Sequence, residues 1–243
     1  MKAIILAAGT ASRLRPLTEH TPKCLLKVGS KNLLQRTIDA LIENQIKDIV
    51  IVTGYLHEMI ESFVVSHYPG LSVEFIYNDR YESTNNIYSL WLSKDSVLNA
   101  DILLLDSDIL FEPAIIACLL ASSHAACLAL NKHELGAEEI KVIVDSNNRV
   151  EEISKVCSIE KAVGESIGIE KMSNDFVRIL FSELDEMIWK KNQVAVFYEA
   201  AFENIIRKGA NMYAVDTTAL FSMELDTVED FQTACLQIPL NLR

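Results

Sequence analysis

The sequence contains few glycines, prolines and aromatic residues: 8 Gly, 5 Pro and 7% Phe, Trp and Tyr among 243 residues. Its hydrophobic content of 50% excludes a disordered or fibrous chain. No apolar run approaches the roughly 18 residues that a transmembrane helix needs, and Met1-Lys2 lead directly into a strand-like run. We therefore expect a globular cytoplasmic protein without a secretory signal or membrane contact.

The five cysteines are too few and too scattered for a disulfide framework or a structural zinc site. No C-x-x-C pair occurs among Cys24, Cys118, Cys127, Cys157 and Cys235. An odd number of dispersed cysteines is typical of free thiols in a reducing compartment.

Basic residues are also scarce, with 22 Lys and Arg against 34 Asp and Glu and a net charge of −12. This balance argues against a nucleic-acid partner. The positive charge is nevertheless concentrated at the start of the chain, where Arg13, Arg15, Lys23 and Lys27 occur. One cleft could therefore still bind a small anion.

The first half alternates strand-like and helix-like segments. Strands are predicted at 2–8, 47–55, 71–79 and 101–111, and helices at 32–45, 57–68, 86–97 and 113–123. This rhythm predicts βαβ units, and hence an α/β fold with a Rossmann-like, doubly wound, mostly parallel sheet and helices on both faces. The carboxyl ends of its strands would bring residues 9–23, 78–86 and 106–108 to one edge, where ligands bind such sheets.

The second half is less regular. A hairpin is predicted at 138–155 with its loop at 146–148, followed by helices at 175–191 and 194–209, a strand at 211–217 and a helix at 226–237. Gly209 would stop the second of these helices. Asp226 would be the N-cap of the last helix, with Glu229 completing a capping box. We expect one domain over 1–243, with a nucleotide-binding half (1–131) and an acceptor-binding half with the C-terminal helix (132–243).

The opening segment contains neither the P-loop spacing nor the dinucleotide G-x-G-x-x-G spacing. It instead places small residues from Gly9 to Ser12 before Arg13. Small side chains would let backbone N–H groups face a triphosphate, while Arg13 and Lys23 contact its oxygens. Taken singly, each of these two charges could equally be a solvated loop residue.

The fourth predicted strand carries acidic residues towards its carboxyl end. Asp106 and Asp108 are two positions apart in "LLLDSDILF", so both should lie on one face at the end of a buried strand. Buried carboxylates are costly unless they are paired or bind a metal. Oxygen ligands suit Mg²⁺, which makes Mg²⁺ the expected cofactor.

Two motifs resemble a known family. The segment "LAAGTASRLRPLTEHTPKCLL" resembles the opening motif of the nucleoside-triphosphate transferases, also called sugar-nucleotide pyrophosphorylases, except that Ala11 stands where glycine is common. If that position needs a positive φ, alanine is mildly costly. The segment "NDRYESTNNIYSLW" resembles the branch that transfers CMP to phosphocholine or 2-aminoethylphosphonate, and the Pro-x-Gly-x-Ala motif of hexose-1-phosphate members is absent.

The resemblance implies site residues at the nucleotide end. The nucleotide-binding residues would be Ala7, Ala8, Gly9, Thr10, Ala11, Ser12, Arg13, Lys23, Asn78, Asn85, Asn86 and Asp106. Arg13, Lys23 and Asp108 would be catalytic. Asp108 would hold the metal together with Asp226 in "SMELDTVEDF". The asparagines could instead cap helices, and Asp226 could be only an N-cap.

The same resemblance implies that Lys155 and Glu165 bind the acceptor, and the further acceptor-binding candidates are Lys141, Tyr198 and Glu199. Both lysines could alternatively be solvent-facing residues of the hairpin. A quaternary ammonium would call for an aromatic cage from Trp189, Phe197 and Tyr198. Carboxylates of Glu139, Glu165 and Glu199 would instead pair a primary ammonium.

The implied function is a Mg²⁺-dependent cytidylyltransferase that joins CMP from CTP to a small phosphonate or phosphate monoester and releases pyrophosphate. 2-Aminoethylphosphonate is favoured and phosphocholine comes next. Such an acceptor is already an oxyanion, so no general base is required. The alternatives are a hexose-1-phosphate transferase that uses UTP or dTTP, and a non-catalytic nucleotide-binding module. The sequence leaves open whether the chain forms a homodimer.

Overall fold

The computed structural model describes residues 1–243. Its strands are β1 (Lys2–Ala7), β2 (Lys27–Val28), β3 (Lys31–Asn32), β4 (Asp48–Thr53), β5 (Ser72–Tyr77), β6 (Ile102–Asp106), β7 (Ile109–Phe111), β8 (Ala126–Asn131), β9 (Lys141–Val144), β10 (Val150–Ser154), β11 (Gly164–Met172), β12 (Tyr213–Asp216) and β13 (Ser222–Glu224). Its α-helices are α1 (Leu33–Glu43), α2 (His57–His67), α3 (Asn86–Leu92), α4 (Lys94–Val97), α5 (Ala114–Ala121), α6 (Asn174–Asp185), α7 (Glu199–Arg207) and α8 (Val228–Gln237). None of these helices combines the length and the apolar character needed to cross a membrane.

One nine-stranded sheet contains strands from both halves of the chain. Strands β6, β1, β4 and β5 are parallel neighbours in that order. The long strand β11 runs antiparallel to β6, β8 and β9, and β12 pairs in parallel with β8. The predicted mostly parallel α/β sheet is therefore confirmed, with β11 as an antiparallel strand between the parallel unit and the second half.

The central parallel strands β1, β4 and β6 are buried on both faces, as their continuous apolar runs predict. In β1, Ile4 and Leu6 pack into a core that includes residues of α3, α6 and α7. Ala3 and Ile5 face the opposite core, which includes residues of α1, α2 and α5. Because successive strand residues point to opposite faces, this division shows helices on both sides of the sheet.

Two predictions about element boundaries are corrected by the structure. The segment 101–111 is not one strand: β6 ends at Asp106, and β7 begins at Ile109 in a separate two-stranded sheet with β13. Asp108 therefore lies in the intervening turn and not on the strand. The predicted helix 194–209 begins only at Glu199, although it ends as expected before Gly209, which has φ +99°.

The sequence did not predict two strands of the main sheet, β8 and β11. Strand β8 is rich in alanine, which is uncommon in strands. Strand β11 carries Glu170 and Lys171, both buried, and these charges interrupt its apolar pattern. Tyr198 and Ser166 hydrogen-bond to Glu170, and Lys171 donates to the Ser122 carbonyl. Two of these partners, Tyr198 and Ser122, are distant in sequence from β11.

Candidate active site

A cleft of about 600 Å³ opens at the carboxyl ends of the parallel strands. Ala8 follows β1, Asn78 follows β5, and Asp106 ends β6; all three line the cleft. This is the edge at which ligands bind open parallel sheets. The predicted convergence of 9–23, 78–86 and 106–108 is therefore observed.

The loop after β1 offers unused backbone donors to the cleft. Gly9 and Ala11 line it together with Ala7 and Ala8, whereas Thr10 and Ser12 do not. The N–H groups of Gly9, Thr10 and Ala11 make no hydrogen bond within the protein. A Cβ added at Gly9 would meet no atom within 4 Å, so this position opens into free space. Three consecutive free donors are suited to phosphate oxygens.

Ala11 adopts a left-handed conformation, with φ 47° and ψ 48°. Its carbonyl accepts hydrogen bonds from Thr18 Oγ1 at 2.8 Å and from the Leu14 N–H at 3.1 Å. These bonds hold a backbone geometry that glycine would adopt without steric cost. The condition under which alanine was expected to be costly is therefore met.

Lys23 lies at the centre of the charged part of the cleft. Its ammonium donates to Asp108 Oδ2 at 2.8 Å and to Asp226 Oδ1 at 2.6 Å, and only 12% of its side chain is exposed. Burial opposes its charge, but the two carboxylates outweigh burial and raise the pKa of Lys23 above its usual value. Arg13 forms an ion pair with Asp226 Oδ2. Residues at the two ends of the chain thus meet at one point.

Asp226 is not the helix N-cap that was predicted. The N-cap of α8 is Thr227, whose hydroxyl accepts from the Asp230 N–H at 3.1 Å, and Asp230 accepts in return from the Thr227 N–H at 2.8 Å. The capping box is shifted by one residue, so Glu229 has no part in it. Burial would raise the pKa of Asp226, but Lys23 and Arg13 overcome it and lower that pKa. Asp226 is therefore an ionised carboxylate that faces the cleft.

The acidic residues of the cleft fit a divalent cation. Asp108, Glu224 and Asp226 each offer a carboxylate oxygen, and these oxygens lie within 4.8 Å of one another. Asp108 Oδ1 is buried and has no hydrogen-bond partner, which leaves an acceptor for a further cation. A set of carboxylate oxygens matches the ligand preference of Mg²⁺. Asp108 and Asp226 could hold the ion, with Glu224 beside them.

Glu224 was not identified from the sequence. Glu224 as a whole is exposed, but partial burial of its carboxyl group, followed by the charges of Asp108 and Asp226, raises its pKa to about 8. The signal that could have revealed it is the alternation in "SMELD", which places Glu224 and Asp226 on the same side of an extended segment.

The three asparagines line the cleft, and the side-chain oxygen of each already accepts a hydrogen bond within the protein. Asn78 accepts from the Arg80 N–H and donates to Thr84 and Ser89. Asn85 is the N-cap of α3 and accepts from the Asn86 N–H at 2.7 Å. The oxygen of Asn86 accepts from the Tyr198 N–H at 3.0 Å. The capping alternative therefore holds for Asn85, and the other two brace the loop.

Asp106 lies deeper than Asp108. Its Oδ2 accepts from the Tyr198 hydroxyl at 3.1 Å, and a Cβ added at Gly168 would come within 2.6 Å of the same oxygen. Burial and the charge of Asp108 raise the pKa of Asp106 above its usual value. Tyr198 is itself fully buried and does not line the cleft, so it contacts Asp106 and not a ligand.

Lys155 and Phe197 form the far wall of the cleft. The Lys155 ammonium lies 4.7 Å from the centre of the Phe197 ring and 3.3 Å from Glu138 Oε2. Trp189 lies elsewhere, 72% exposed, with its ring edge against Trp91. Three aromatic residues that could have formed a cage are therefore not brought together.

Glu165 and Glu199 also line the far end, as predicted. Glu165 Oε2 lies 2.8 Å from His133 Nε2; burial raises the pKa of Glu165, and His133 opposes this shift. Glu199 is buried, and its Oε2 has no hydrogen-bond partner. Burial raises the pKa of Glu199 to about 7. The site thus contains an unpartnered acid that could pair a cation.

Lys141 does not reach the cleft. It is 2% exposed, and its ammonium donates to the carbonyls of Ala137, Glu139 and Lys155. Both earlier expectations, a direct acceptor contact and a solvent-facing side chain, are wrong because three carbonyls hold the ammonium under the hairpin. Lys141 instead fixes the backbone that carries Lys155.

Comparison with known proteins agrees with this geometry. A family model described as "Nucleotidyl transferase" matches residues 2–151. A choline-phosphate cytidylyltransferase from Streptococcus pneumoniae is 46% identical over 100 residues, which cover 41% of this chain and 42% of that protein. A CTP:phosphoglutamine cytidylyltransferase from Campylobacter jejuni is 26% identical over 96% of this chain and 98% of its own. The chain thus spans less than half of the first relative's length.

Solved structures give the same result for the fold. The structure of CTP:phosphocholine cytidylyltransferase from Streptococcus pneumoniae (LicC) superimposes with a TM-score of 0.81 and 26% identity, over 98% of this chain and 99% of that one. The family model covers more than half of the sequence, and the matched region contains the loop after β1 and Asp108. The chain therefore belongs to the nucleotidyl transferase family.

Proposed function

We propose that the protein is a Mg²⁺-dependent cytidylyltransferase that transfers CMP from CTP to a small phosphonate or phosphate monoester. The observation that carries the proposal is the meeting of Arg13 and Lys23 with Asp108 and Asp226 at one point of the cleft. Cations for a triphosphate and carboxylates for a metal are both needed for nucleotidyl transfer. The names of the cytidylyltransferase relatives support CTP as the nucleotide.

Each charged group has a role in the proposed reaction. Free N–H groups at 9–11 bind phosphate oxygens, and Arg13 and Lys23 stabilise the negative charge of the triphosphate. Asp108 and Asp226 hold the cation, which when bound neutralises charge on the triphosphate. An acceptor oxygen attacks the α-phosphorus of the triphosphate and forms a new P–O bond. The bond between the α-phosphorus and the oxygen that bridges it to the β-phosphate breaks, and pyrophosphate leaves with that oxygen. The acceptor oxygen is already anionic, so no side chain has to remove a proton.

The far end of the cleft favours an acceptor with a primary ammonium. Lys155 would bind the phosphonate or phosphate, and Glu199 offers an unpartnered buried oxygen for the ammonium. Glu165 would contribute beside it. The aromatic residues that line the cleft are Tyr81 and Phe197, and Lys155 already covers the Phe197 ring. This arrangement supports 2-aminoethylphosphonate over phosphocholine, because a quaternary ammonium is best held by several rings.

The test is pyrophosphate release with Mg²⁺ for the four ribonucleoside triphosphates and dTTP. Each nucleotide is combined with 2-aminoethylphosphonate, phosphocholine, phosphoglutamine or glucose 1-phosphate. We expect release with CTP and an amino-alkyl acceptor. Release with glucose 1-phosphate and UTP or dTTP would instead support the hexose-1-phosphate transferase.

Two variants complete this test. Asp108→Asn should reduce the rate about 100-fold or more, because a bound metal contributes several kcal/mol to such reactions. Asp95 is exposed and does not line the cleft, so Asp95→Asn should retain the full rate.

A third outcome concerns the wild type. If it released no pyrophosphate but bound CTP in calorimetry, the non-catalytic nucleotide-binding module would be supported.

A further inference from the structure

Lys23 bonds to the carboxylates that the fold offers to a metal. Its ammonium contacts Asp108 Oδ2 and Asp226 Oδ1 at 2.8 and 2.6 Å. We infer that Lys23 and the divalent cation compete for these oxygens, so that the protein binds the cation weakly until a triphosphate draws Lys23 away. This inference rests on the proposed function only in taking the nucleotide to be a triphosphate.

The competition follows from charge and burial. Lys23 has 12% of its side chain exposed, and its ammonium is hydrogen-bonded to both acids. A divalent cation bound to the same oxygens would lie within a few ångströms of this ammonium, and the repulsion of like charges is strong at that separation. Either the ammonium or the metal ion can therefore hold the two carboxylates, but not both.

Arg13 extends the competition to the second oxygen of Asp226, with which it forms an ion pair. The two side chains that bind the carboxylates, Arg13 and Lys23, are thus the same two that a triphosphate would attract. Binding of a metal–nucleotide complex would exchange partners in one step: Arg13 and Lys23 pass to the phosphates, and Asp108 and Asp226 pass to the metal. The unpartnered Asp108 Oδ1 is then available for the metal as well.

The experiment is a titration of the protein with Mn²⁺ in the absence of nucleotide. Binding is measured by calorimetry and by the loss of the electron paramagnetic resonance signal of free Mn²⁺. Lys23→Met should bind Mn²⁺ at least about 10-fold more tightly than the wild type. A lysine elsewhere near the cleft would act only through solvent, and its removal would change the affinity about twofold at physiological salt. Lys27→Met, at an exposed position of β2 that does not line the cleft, measures this background. An equal effect of the two substitutions would overturn the inference.

A second measurement follows the Lys23 ammonium itself by NMR, and a variant is needed only to assign its signal. Reductive ¹³C-methylation keeps the lysine charge, and Lys23→Arg assigns the Lys23 signal. Mg²⁺ at a saturating concentration should shift this signal, while the Lys27 signal stays in place. A Lys23 signal that does not move when the protein is saturated with Mg²⁺ would contradict the competition.

These results are independent of the proposed reaction. Neither experiment contains CTP or an acceptor. An enzyme that transfers CMP could therefore show no competition between Lys23 and the cation in either experiment. Conversely, a protein in which Lys23 competes with the metal could prefer another nucleotide. Failure of the inference and failure of the proposed function are therefore distinguished.

Discussion

At the scale of single residues, Asp226 and Asp230 divide two tasks that one carboxylate would perform poorly. Asp230 accepts backbone N–H groups at the start of α8, including that of Asp226 at 3.2 Å. The Asp226 side chain is therefore free to bind Lys23 and Arg13. The sequence alone could not separate these roles, because Asp226 and Thr227 are both good N-cap residues.

Glu199 has an environment that makes its ionisation matter for the acceptor. Burial raises its pKa to about 7, and its Oε2 has no partner in the protein. Only the ionised carboxylate pairs an ammonium. We therefore predict that the KM for 2-aminoethylphosphonate falls as the pH rises through about 7, and that Glu199→Gln raises this KM and removes the part of the dependence that an acceptor without an ammonium does not show. Steady-state kinetics between pH 6 and 8.5 measure both effects.

The control for this prediction is an acceptor without an ammonium, ethylphosphonate. Ionisation of its phosphonate produces a pH dependence that Glu199→Gln should leave unchanged. A substitution that alters both acceptors equally would show that Glu199 only supports the fold. An unchanged KM for 2-aminoethylphosphonate would show that the ammonium binds elsewhere, with Glu165 as the next candidate.

At the scale of elements, the capping box of α8 determines where Asp226 points. Removing the hydroxyl in Thr227→Val should lower the free energy of unfolding by about 1 kcal/mol. It should also lower kcat/KM, because the backbone of Asp226 belongs to the same hydrogen-bond set. Urea denaturation and steady-state kinetics give the two quantities.

The matched control is Ser173→Ala, which removes the N-cap of α6. Ser173 does not line the cleft, so this substitution should cost a similar free energy without changing kcat/KM. If both variants lost stability and neither lost activity, α8 would not be the element that positions Asp226.

Elements that are specified by local sequence patterns could be predicted. Elements whose buried polar groups bond to residues distant in sequence could not. Helix α1 and the strands of the parallel unit follow from local apolar patterns, and the structure confirms them. Strand β11 could not be predicted because Tyr198 and Ser122, which bond to its buried polar residues Glu170 and Lys171, come from elsewhere in the chain. Lys141 was misplaced for the same reason: only the folded hairpin brings three carbonyls to its ammonium. In the site, charged residues in family motifs were predictable, but their mutual contacts were not.

At the scale of the whole molecule, the active site joins the beginning and the end of the chain. Arg13 and Lys23 contact Asp226, which is more than 200 residues later in the sequence. Arg36 likewise donates to the carbonyl of Leu242, in the C-terminal segment. A ligand that bridges Arg13, Lys23 and the carboxylates should therefore stabilise the entire fold. Its effect need not be confined to a local loop.

Binding to the folded state at 100 times the dissociation constant adds about 2.7 kcal/mol of stability. For a chain of this length, we predict that CTP with Mg²⁺ raises Tm by about 5–10 °C. Differential scanning fluorimetry measures the shift. CMP with Mg²⁺, which lacks the β- and γ-phosphates, should give a smaller one, and Asp226→Asn should reduce the CTP shift towards that of CMP. Equal shifts for CTP and CMP would mean that the triphosphate does not reach Arg13 and Lys23, and the proposed roles of both residues would be wrong.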